Sequence, residues 1–295
     1  MFSERDKVAS IVKHALRIEP GKIISMKEGM TNDSYLVETK IGKFVVRLNG
    51  NGTSKLIARS AEKEIYKAIM PLGICDPVVA IDTVTEGGYK ISRYLDHSRV
   101  CNPENWEDVR KVMDFLREVH SCKQIVNHQF NIYEAIIHYE NLRNGEPSKY
   151  EDYEVVRNKI FSYKKRLNTL PRYIGLSHID SVYSNFLICG NEIRLIDWEY
   201  AAMCDQDIDI AMFAIYANYG VEEAYHLMSL YIHNDKVPAE RFEKILIYMA
   251  TGGLLWSNWC EYKETQGEHF KGYDLNQYRY AQSIPFYIDA IRSRE

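Results

Sequence analysis

The chain has 295 residues, of which 46% are hydrophobic and 26% charged, with a formal net charge of −4. These fractions exclude a wholly disordered chain, and the charge excludes the basic surface of a nucleic-acid-binding protein. No stretch approaches the ~20 apolar residues that a membrane-spanning helix needs. Because the six cysteines are scattered and no secretory signal is visible, we expect reduced thiols and a cytoplasmic protein that does not insert into membranes.

The first hundred residues are predicted to be rich in strands. The stretches with apolar or alternating patterns are Lys22–Lys27, Ser34–Thr39, Lys43–Leu48, Val78–Asp82 and Tyr89–Tyr94. Arg59–Met70 has the spacing of a helix, and the turn residues Glu86-Gly87-Gly88 predict a hairpin between the last two strands. We therefore expect a small sheet with one inserted helix.

From residue 102 onwards the pattern becomes helical. Asn102 is a favourable N-cap and Pro103 a favourable first helical residue, and an apolar stripe runs from Trp106 to His120. Further helices are predicted at Ile132–Arg143, Tyr153–Leu167, Asp207–Tyr219, Glu222–His233, Pro238–Lys263 and Leu275–Arg292. The chain is therefore predicted to be an α+β protein with a strand-rich domain, residues 1–95, and a larger, mostly helical domain, residues 96–295.

Two polar motifs flank a hairpin predicted at Leu187–Cys189 and Glu192–Ile196, where Gly190-Asn191 is a favoured two-residue turn. Before it, Asp180 is followed five residues later by Asn185. After it comes Asp197. In such a loop the first carboxylate can face a nucleophile while the amide oxygen and the later carboxylate reach a metal. Oxygen ligands suit magnesium, so the pattern indicates phosphoryl transfer.

These motifs, His178-x-Asp180-x-x-x-x-Asn185 and Ile196-Asp197-Trp198-Glu199, resemble those of the aminoglycoside phosphotransferase and choline kinase superfamily. The resemblance implies a bilobal protein-kinase-like fold, with a small N-terminal antiparallel sheet and a larger helical C-terminal lobe, and it implies ATP and Mg²⁺ as co-substrate and cofactor. It makes Asp180 the catalytic base and lets His178 hold the loop in shape. The implied metal residues are Asn185, Asp197 and Glu199.

The resemblance also assigns the nucleotide site. It implies that Gly29, Thr31 and Asn32 belong to the loop over the phosphates and that Arg47 is the phosphate-binding cation. A glutamate on the following helix pairs with this cation in the family. Glu62 and Glu64 both qualify, and the spacing favours Glu62. Arg93 falls in the segment that, in the family, binds adenine through its backbone.

Aromatic residues are dense in the last third of the chain. Trp256 and Trp259 lie three residues apart on one face of a predicted helix, and Tyr280 lies in a Tyr-Ala-Gln segment. Both places are similar to choline kinases. A trimethylammonium group has no N–H donor and is held by aromatic faces. The resemblance therefore implies choline as the acceptor, caged by these three side chains, with Tyr216 and Tyr219 as weaker candidates.

Several alternatives stay open. Within the enzyme class, the acceptor could be ethanolamine, another amino alcohol or an aminoglycoside. Outside it, the chain could be a catalytically inactive kinase-like protein that binds a small ligand. The retained Asp180, Asn185, Asp197 and Arg47 favour an active enzyme.

Asp209 is expected to start a helix and brace the loop that carries Asp180. The sequence does not address the oligomeric state.

Overall fold

The computed structural model describes residues 3–26, 32–50, 53–83 and 88–293. The chain divides into two compact units. The first comprises Met1–Val100 and Phe186–Tyr200, and the second comprises Cys101–Asn185 and Ala201–Glu295. The boundary after residue 95 stays a prediction about domains. Searched over the described residues, no helix combines the length and the apolar content needed to cross a membrane.

The first unit is built on an antiparallel sheet. Its elements are α1 Glu4–Leu16, β1 Ile23–Ser25, β2 Asn32–Thr39, β3 Gly42–Asn49, α2 Arg59–Ile69, β4 Val78–Ile81, β5 Tyr89–Arg93, β6 Arg99–Val100, β8 Phe186–Cys189 and β9 Glu192–Leu195. Within the described residues, β1 to β5 form one sheet in the order β1-β2-β3-β5-β4. The predicted strands are thus confirmed, and the turn predicted at residues 86–88 lies mostly outside the described residues.

Helix α1 was not predicted. Ser3 and Asp6 form a capping box at its N-terminus, in which the Ser3 side chain accepts from the Asp6 amide and the Asp6 carboxylate accepts from Ser3. Val8 and Val12 lie one turn apart and are buried against the sheet, whose own core includes Val37. The sequence carries both signals. The four residues that begin the helix, 4–7, are all charged, so its apolar face starts only at Val8.

The predicted hairpin between the two motifs is confirmed. Strands β8 and β9 pair antiparallel with Cys189 opposite Glu192. The turn residue Gly190 has φ 64°, in the left-handed region that glycine adopts at least cost. Leu195, the last residue of β9, pairs with Phe186, the first residue of β8. Asp197 follows two residues after the end of the hairpin. Strand β6 pairs on the outer side of β8.

The second unit is mostly helical. Its elements are α3 Trp106–Ser121, α4 Ile132–Leu142, α5 Tyr153–Ser162, α6 Lys164–Leu167, β7 Ile174–Ser177, β10 Ala202–Asp205, α7 Asp207–Tyr216, α8 Val221–Ile232, α9 Ala239–Glu264 and α10 Tyr273–Arg292. The predicted helices are confirmed to within a few residues at their ends, except that the one predicted at Tyr153–Leu167 is divided at Tyr163. The pairing of β7 with β10 was not predicted.

The predicted start of α3 is wrong. Asn102 accepts a hydrogen bond from the Glu104 amide, which makes a local turn and not a helix cap. Asn105 caps the helix, since its side chain accepts from the Glu107 amide. Asn102 and Asn105 are equally good caps by residue type, so the choice depends on where the following chain packs.

Helices α9 and α10 pack closely because α9 carries glycine at their contact. A Cβ atom on Gly253 would lie 2.4 Å from the carbonyl oxygen of Gln277 and 2.7 Å from the Cβ of Tyr280. The neighbouring Gly252 faces the Met212 and Ile215 side chains of α7 instead. These two glycines therefore let α9 approach both helices, and the tryptophans of α9 follow within two turns.

Candidate functional site

An ion cluster in the first unit joins side chains from β3, α2 and the segment after β9. Arg47 Nη2 lies 2.6 and 2.8 Å from the two carboxylate oxygens of Glu62. Its Nη1 lies 2.6 Å from Asp197 Oδ1 and 3.3 Å from Glu199 Oε2. Glu64, the other candidate partner on α2, is exposed. Arg47 therefore connects the helix to the two acidic residues that follow the hairpin.

A second arginine, which the sequence analysis did not single out, completes this cluster. Arg59 Nη1 donates to Glu199 Oε2 at 2.7 Å and to Glu62 Oε2 at 3.1 Å. Its Nη2 donates to Asn32 Oδ1 at 2.9 Å, and Asn32 Nδ2 donates to Glu199 Oε2 at 2.8 Å. The three-residue spacing of Arg59 and Glu62 on α2 was the available signal. The ion cluster is Asn32, Arg47, Arg59, Glu62, Asp197 and Glu199.

The charges of the ion cluster are largely removed from water. The side chains of Arg47, Arg59, Glu62 and Glu199 are 6%, 3%, 1% and 1% exposed, whereas that of Asp197 is 28% exposed. Burial opposes the charged form of Arg47, but the surrounding carboxylates outweigh it and hold the pKa of Arg47 well above its ordinary value. Burial and then the charge of Asp197 raise the pKa of Glu199. The cluster thus pairs two arginines with three carboxylates, most of them buried.

The ion cluster also contains oxygen atoms that could hold a metal. Carboxylate oxygens of Glu62, Asp197 and Glu199 all lie within 4.8 Å of one another, and such ligands suit Mg²⁺. Glu62 and Glu199 each accept hydrogen bonds from both arginines and are 1% exposed, whereas Asp197 is 28% exposed and is therefore the carboxylate that a metal could reach from solvent. Asp197 has φ 66°, in the left-handed region that aspartate adopts more readily than most other non-glycine residues.

In the second unit, Asp209 holds the backbone of the loop that carries Asp180. It lies in the first turn of α7, where its Oδ1 accepts from the Ile179 amide at 2.6 Å and its Oδ2 from the His178 amide at 2.9 Å. His120 Nε2 lies 2.9 Å from the same Oδ2. Burial opposes ionisation, but the hydrogen bond from His120 and the other partners keep the pKa of Asp209 below its ordinary value. Ile179 has φ 70°, which a β-branched residue adopts only under such constraint.

The carboxylate of Asp180 is oriented by two neighbours. Its Oδ1 accepts a hydrogen bond from Tyr216 OH at 2.5 Å. Asn185 Nδ2 donates to the Asp180 carbonyl at 3.1 Å and to Oδ2 at 3.4 Å, which leaves the Asn185 Oδ1 outside these bonds. Asp180 is partly exposed. An oriented carboxylate that still reaches solvent can accept a proton from a bound hydroxyl.

Aromatic rings continue from Tyr216 through the second unit. The ring centroids of Tyr216 and Trp256 are 5.9 Å apart, those of Trp256 and Trp259 6.4 Å, and those of Trp259 and Phe270 5.4 Å. Tyr273 stacks on Tyr216 with an interplanar angle of 10°. We call these five residues the aromatic set.

Sequence reasoning missed Tyr273 and Phe270. Tyr273 is the first residue of α10, and burial raises the pKa of its hydroxyl well above the ordinary value, so the group is neutral. Neither residue repeats at a helical spacing with Trp256 and Trp259, so their proximity follows only from the return of the chain between α9 and α10. An aromatic count beyond the Trp-x-x-Trp helix was the one available signal.

Tyr219 and Tyr280 make contacts of another kind. Tyr219 stacks on Trp106 with centroids 5.2 Å apart, and its hydroxyl donates to the carbonyl of Pro103. Tyr280 OH donates to the Tyr219 carbonyl at 2.9 Å. These contacts give both side chains a packing role. Their assignment to an acceptor site stays a prediction.

Of the predicted nucleotide residues, Gly29 and Thr31 lie outside the described residues, whereas Asn32 is part of the ion cluster. Arg93 ends β5, where its side chain is exposed and its guanidinium carbon lies 5.4 Å from the ring centroid of Phe44. Its backbone amide donates to the Pro77 carbonyl at 3.0 Å. Any role of the Arg93 segment in adenine binding stays a prediction.

Comparison with known proteins gives concordant matches. The model of the family described as choline/ethanolamine kinase matches residues 23–251. Protein LicA of Haemophilus influenzae is 25% identical over 263 residues, which cover 84% of this chain and 76% of that protein.

Solved structures are similar over almost the whole chain. The crystal structure of choline kinase LicA from Streptococcus pneumoniae has a TM-score of 0.85 at 30% identity and covers 97% of this chain and 100% of that chain. A crystal structure of LicA in complex with AMP has a TM-score of 0.83 at 29% identity, with the same coverage. An aminoglycoside phosphotransferase, APH(4)-Ia, shares the fold at 13% identity with a TM-score of 0.65, covering 97% of this chain and 98% of that chain. These likenesses confirm the predicted α+β, protein-kinase-like fold class.

Proposed function

The chain belongs to the choline/ethanolamine kinase family, and we propose that it transfers the terminal phosphoryl group of ATP to the hydroxyl of choline. Family membership confirms the prediction of an alcohol phosphotransferase that acts on a small molecule. The acceptor, the nucleotide and the role of each residue belong to the proposal. ATP is supported by the similarity to LicA, which has been crystallised with AMP.

The observation that carries the choice of acceptor is the 2.5 Å hydrogen bond between Tyr216 and Asp180, because Tyr216 also belongs to the aromatic set. Choline has a hydroxyl at one end and a trimethylammonium group at the other. A carboxylate beside aromatic faces matches both ends, and each ring attracts a cation by ~0.5–2 kcal/mol. We propose that Trp256, Trp259 and Tyr216 bind the trimethylammonium group, together with Tyr273, which stacks on Tyr216.

In the proposed reaction, the oxygen of the acceptor hydroxyl bonds to the γ-phosphorus, and Asp180 accepts the proton that this hydroxyl loses. The bond from that phosphorus to the bridging oxygen breaks, and ADP leaves. Tyr216 holds the Asp180 carboxylate in one orientation, and Asp209 holds the loop backbone that presents it. Phosphoryl transfer depends on such positioning and on charge neutralisation more than on covalent help from the protein.

The ion cluster supplies the charge for the nucleotide. Arg47 is proposed to neutralise the phosphate oxygens, while Glu62 and Arg59 keep its guanidinium ordered. Asn185 and Asp197 are the proposed ligands of Mg²⁺, which when bound offsets negative charge on the phosphates. Glu199 accepts from Arg47, Arg59 and Asn32 and is proposed to order the cluster around Asp197.

The proposal is tested by an ATP-consumption assay with choline, ethanolamine and an aminoglycoside, applied to the natural chain and to Asp180→Asn. We expect choline to be the preferred acceptor. Asp180→Asn should lower kcat by about 10²- to 10⁴-fold while the Kd for ATP changes less than about twofold, because general-base assistance is worth that much.

Each contrary outcome points to a specific alternative. Preference for ethanolamine over choline would assign the site to a primary amine. Preference for the aminoglycoside would overturn the small acceptor. Absence of turnover with all three acceptors would favour an inactive ligand-binding protein, and near-normal turnover of Asp180→Asn would remove that residue from its role.

A further inference from the structure

Two buried cations lie directly opposite each other on neighbouring strands of the first unit. Arg47 of β3 is in register with Lys90 of β5, and each residue is 5% exposed. Like charges in this arrangement repel, so each needs its own counterion. Glu62 serves Arg47, and Asp76 serves Lys90, whose Nζ lies 2.8 Å from Asp76 Oδ2.

Lys90 and Asp76 form a closed triad with Tyr66 of α2, called here the Tyr66 triad. Lys90 Nζ donates to Tyr66 OH at 2.6 Å, and Tyr66 OH donates to Asp76 Oδ1 at 2.9 Å. Tyr66 is 1% exposed. Burial raises the pKa of Tyr66 well above its ordinary value, so the hydroxyl keeps its proton and both accepts and donates. Each member of the triad therefore contacts the other two.

Helix α2 carries both Glu62 and Tyr66 on one face, four residues apart. Through Glu62 it is tied to β3, and through Tyr66 to the adjacent β5. One ion pair would let the helix turn about the contact. Two attachments separated by a helical turn, ~5.4 Å, fix both its rotation and its position along the sheet.

The Tyr66 triad is also attached to the strand that precedes Asp197. Cys75, the neighbour of Asp76, forms a parallel bridge with Leu195 at the end of β9. The Leu195 amide donates to the Ile74 carbonyl at 2.9 Å. The segment that ends in Asp76 therefore connects α2 and β5 to the strand from which Asp197 emerges.

We infer that the Tyr66 triad positions Arg47 for the nucleotide by fixing α2, and with it Glu62. Its members are positioning residues that act through the Arg47–Glu62 pair. The inference rests on the proposed role of Arg47 at the phosphates. Its chemical basis is that Arg47 Nη2 donates to both carboxylate oxygens of Glu62, at 2.6 and 2.8 Å, and rotation of α2 would change the distance and angle of both bonds.

The test uses Tyr66→Phe, which removes one hydroxyl and keeps the ring. Titration calorimetry with ATP and the choline KM of the same variant separate the two substrates. We expect the ATP Kd to rise about tenfold, equivalent to ~1.4 kcal/mol, with the choline KM unchanged within about twofold. Tyr35→Phe is the matched control, since Tyr35 is also buried in the first unit and its hydroxyl donates to Glu4 of α1. That variant should leave the ATP Kd unchanged.

Arg47→Met separates failure of the inference from failure of the proposed function. If Arg47→Met weakens ATP binding but Tyr66→Phe behaves like Tyr35→Phe, the triad has a structural role alone and the inference is overturned. A parallel rise in the ATP Kd and the choline KM of Tyr66→Phe would overturn it too. If Arg47→Met itself leaves the ATP Kd unchanged, the proposed function of the ion cluster fails.

Discussion

Replacing Arg59 by methionine tests whether the ion cluster is held together by charge pairing. Arg59 donates to Glu199 at 2.7 Å and to Glu62 at 3.1 Å, and both carboxylates are 1% exposed. The substitution keeps the aliphatic stem, and of the six residues of the ion cluster it leaves Arg47 as the one cation beside three carboxylates. Removing one partner from such a buried network costs about 3–5 kcal/mol, so Arg59→Met should lose that much free energy of unfolding.

The loss should depend on pH. Burial and the charge of Asp197 already raise the pKa of Glu199 above 4.5, its ordinary value. A carboxyl group with a raised pKa in the folded state stabilises the fold fully below its unfolded pKa and loses that contribution as the pH rises through the folded pKa. Without Arg59 the pKa of Glu199 rises further. The destabilisation of Arg59→Met should therefore be smallest in acid and grow as the pH increases.

Urea denaturation at several pH values measures both effects. Arg110→Met is the matched control, because its side chain is 53% exposed and it pairs with Asp114 at 3.5 Å. An exposed pair of this kind should contribute less than about 1 kcal/mol at every pH. A loss in Arg59→Met no larger than in this control, or one that shrinks as the pH rises, would refute the electrostatic reasoning.

Two further predictions concern the second unit. Trp259→Ala should raise the choline KM several-fold more than the ATP KM in steady-state assays, because ring faces hold the cation; equal effects on the two constants would instead indicate packing. Gly253→Ala should lower the free energy of unfolding by about 1–3 kcal/mol, since its Cβ would meet the Gln277 backbone oxygen at 2.4 Å. Gly252→Ala, which meets flexible side chains at 3.0 Å or more, should lose less, and equal losses would contradict the packing argument.

Features determined by local chemistry could be predicted from the sequence. The Gly190-Asn191 turn has a strong intrinsic preference for two-residue hairpins, so the spacing from Asp180 to Asp197 could be interpreted without knowing the rest of the fold. Strands and helices with regular apolar spacing were found for the same reason. The helix start at Asn105 was not, because two asparagines compete as caps within four residues.

Residues whose role depends on distant partners could not be found in this way. Arg59 lies among ordinary helix residues, and its bond to Glu199 spans 140 positions. Tyr273 meets Tyr216 only because α10 returns along α9. The bond between Tyr216 and Asp180 likewise depends on how α7 packs against the loop. Residue type and spacing identify the motif, whereas tertiary packing decides which side chains complete the site.

The late position of Phe186–Tyr200 in the sequence has a consequence for synthesis of the protein on the ribosome. This segment belongs to the first unit but is made after the whole of Cys101–Asn185, the first part of the second unit. Until residue 200 has emerged, Arg47 and Arg59 have Glu62 but lack Asp197 and Glu199. During this part of synthesis, the N-terminal segment therefore carries two arginines, Arg47 and Arg59, without all of their acidic partners. A fragment that stops near residue 100 lacks Asp197 and Glu199. It should therefore fold poorly by itself, even though it contains all five strands of the main sheet.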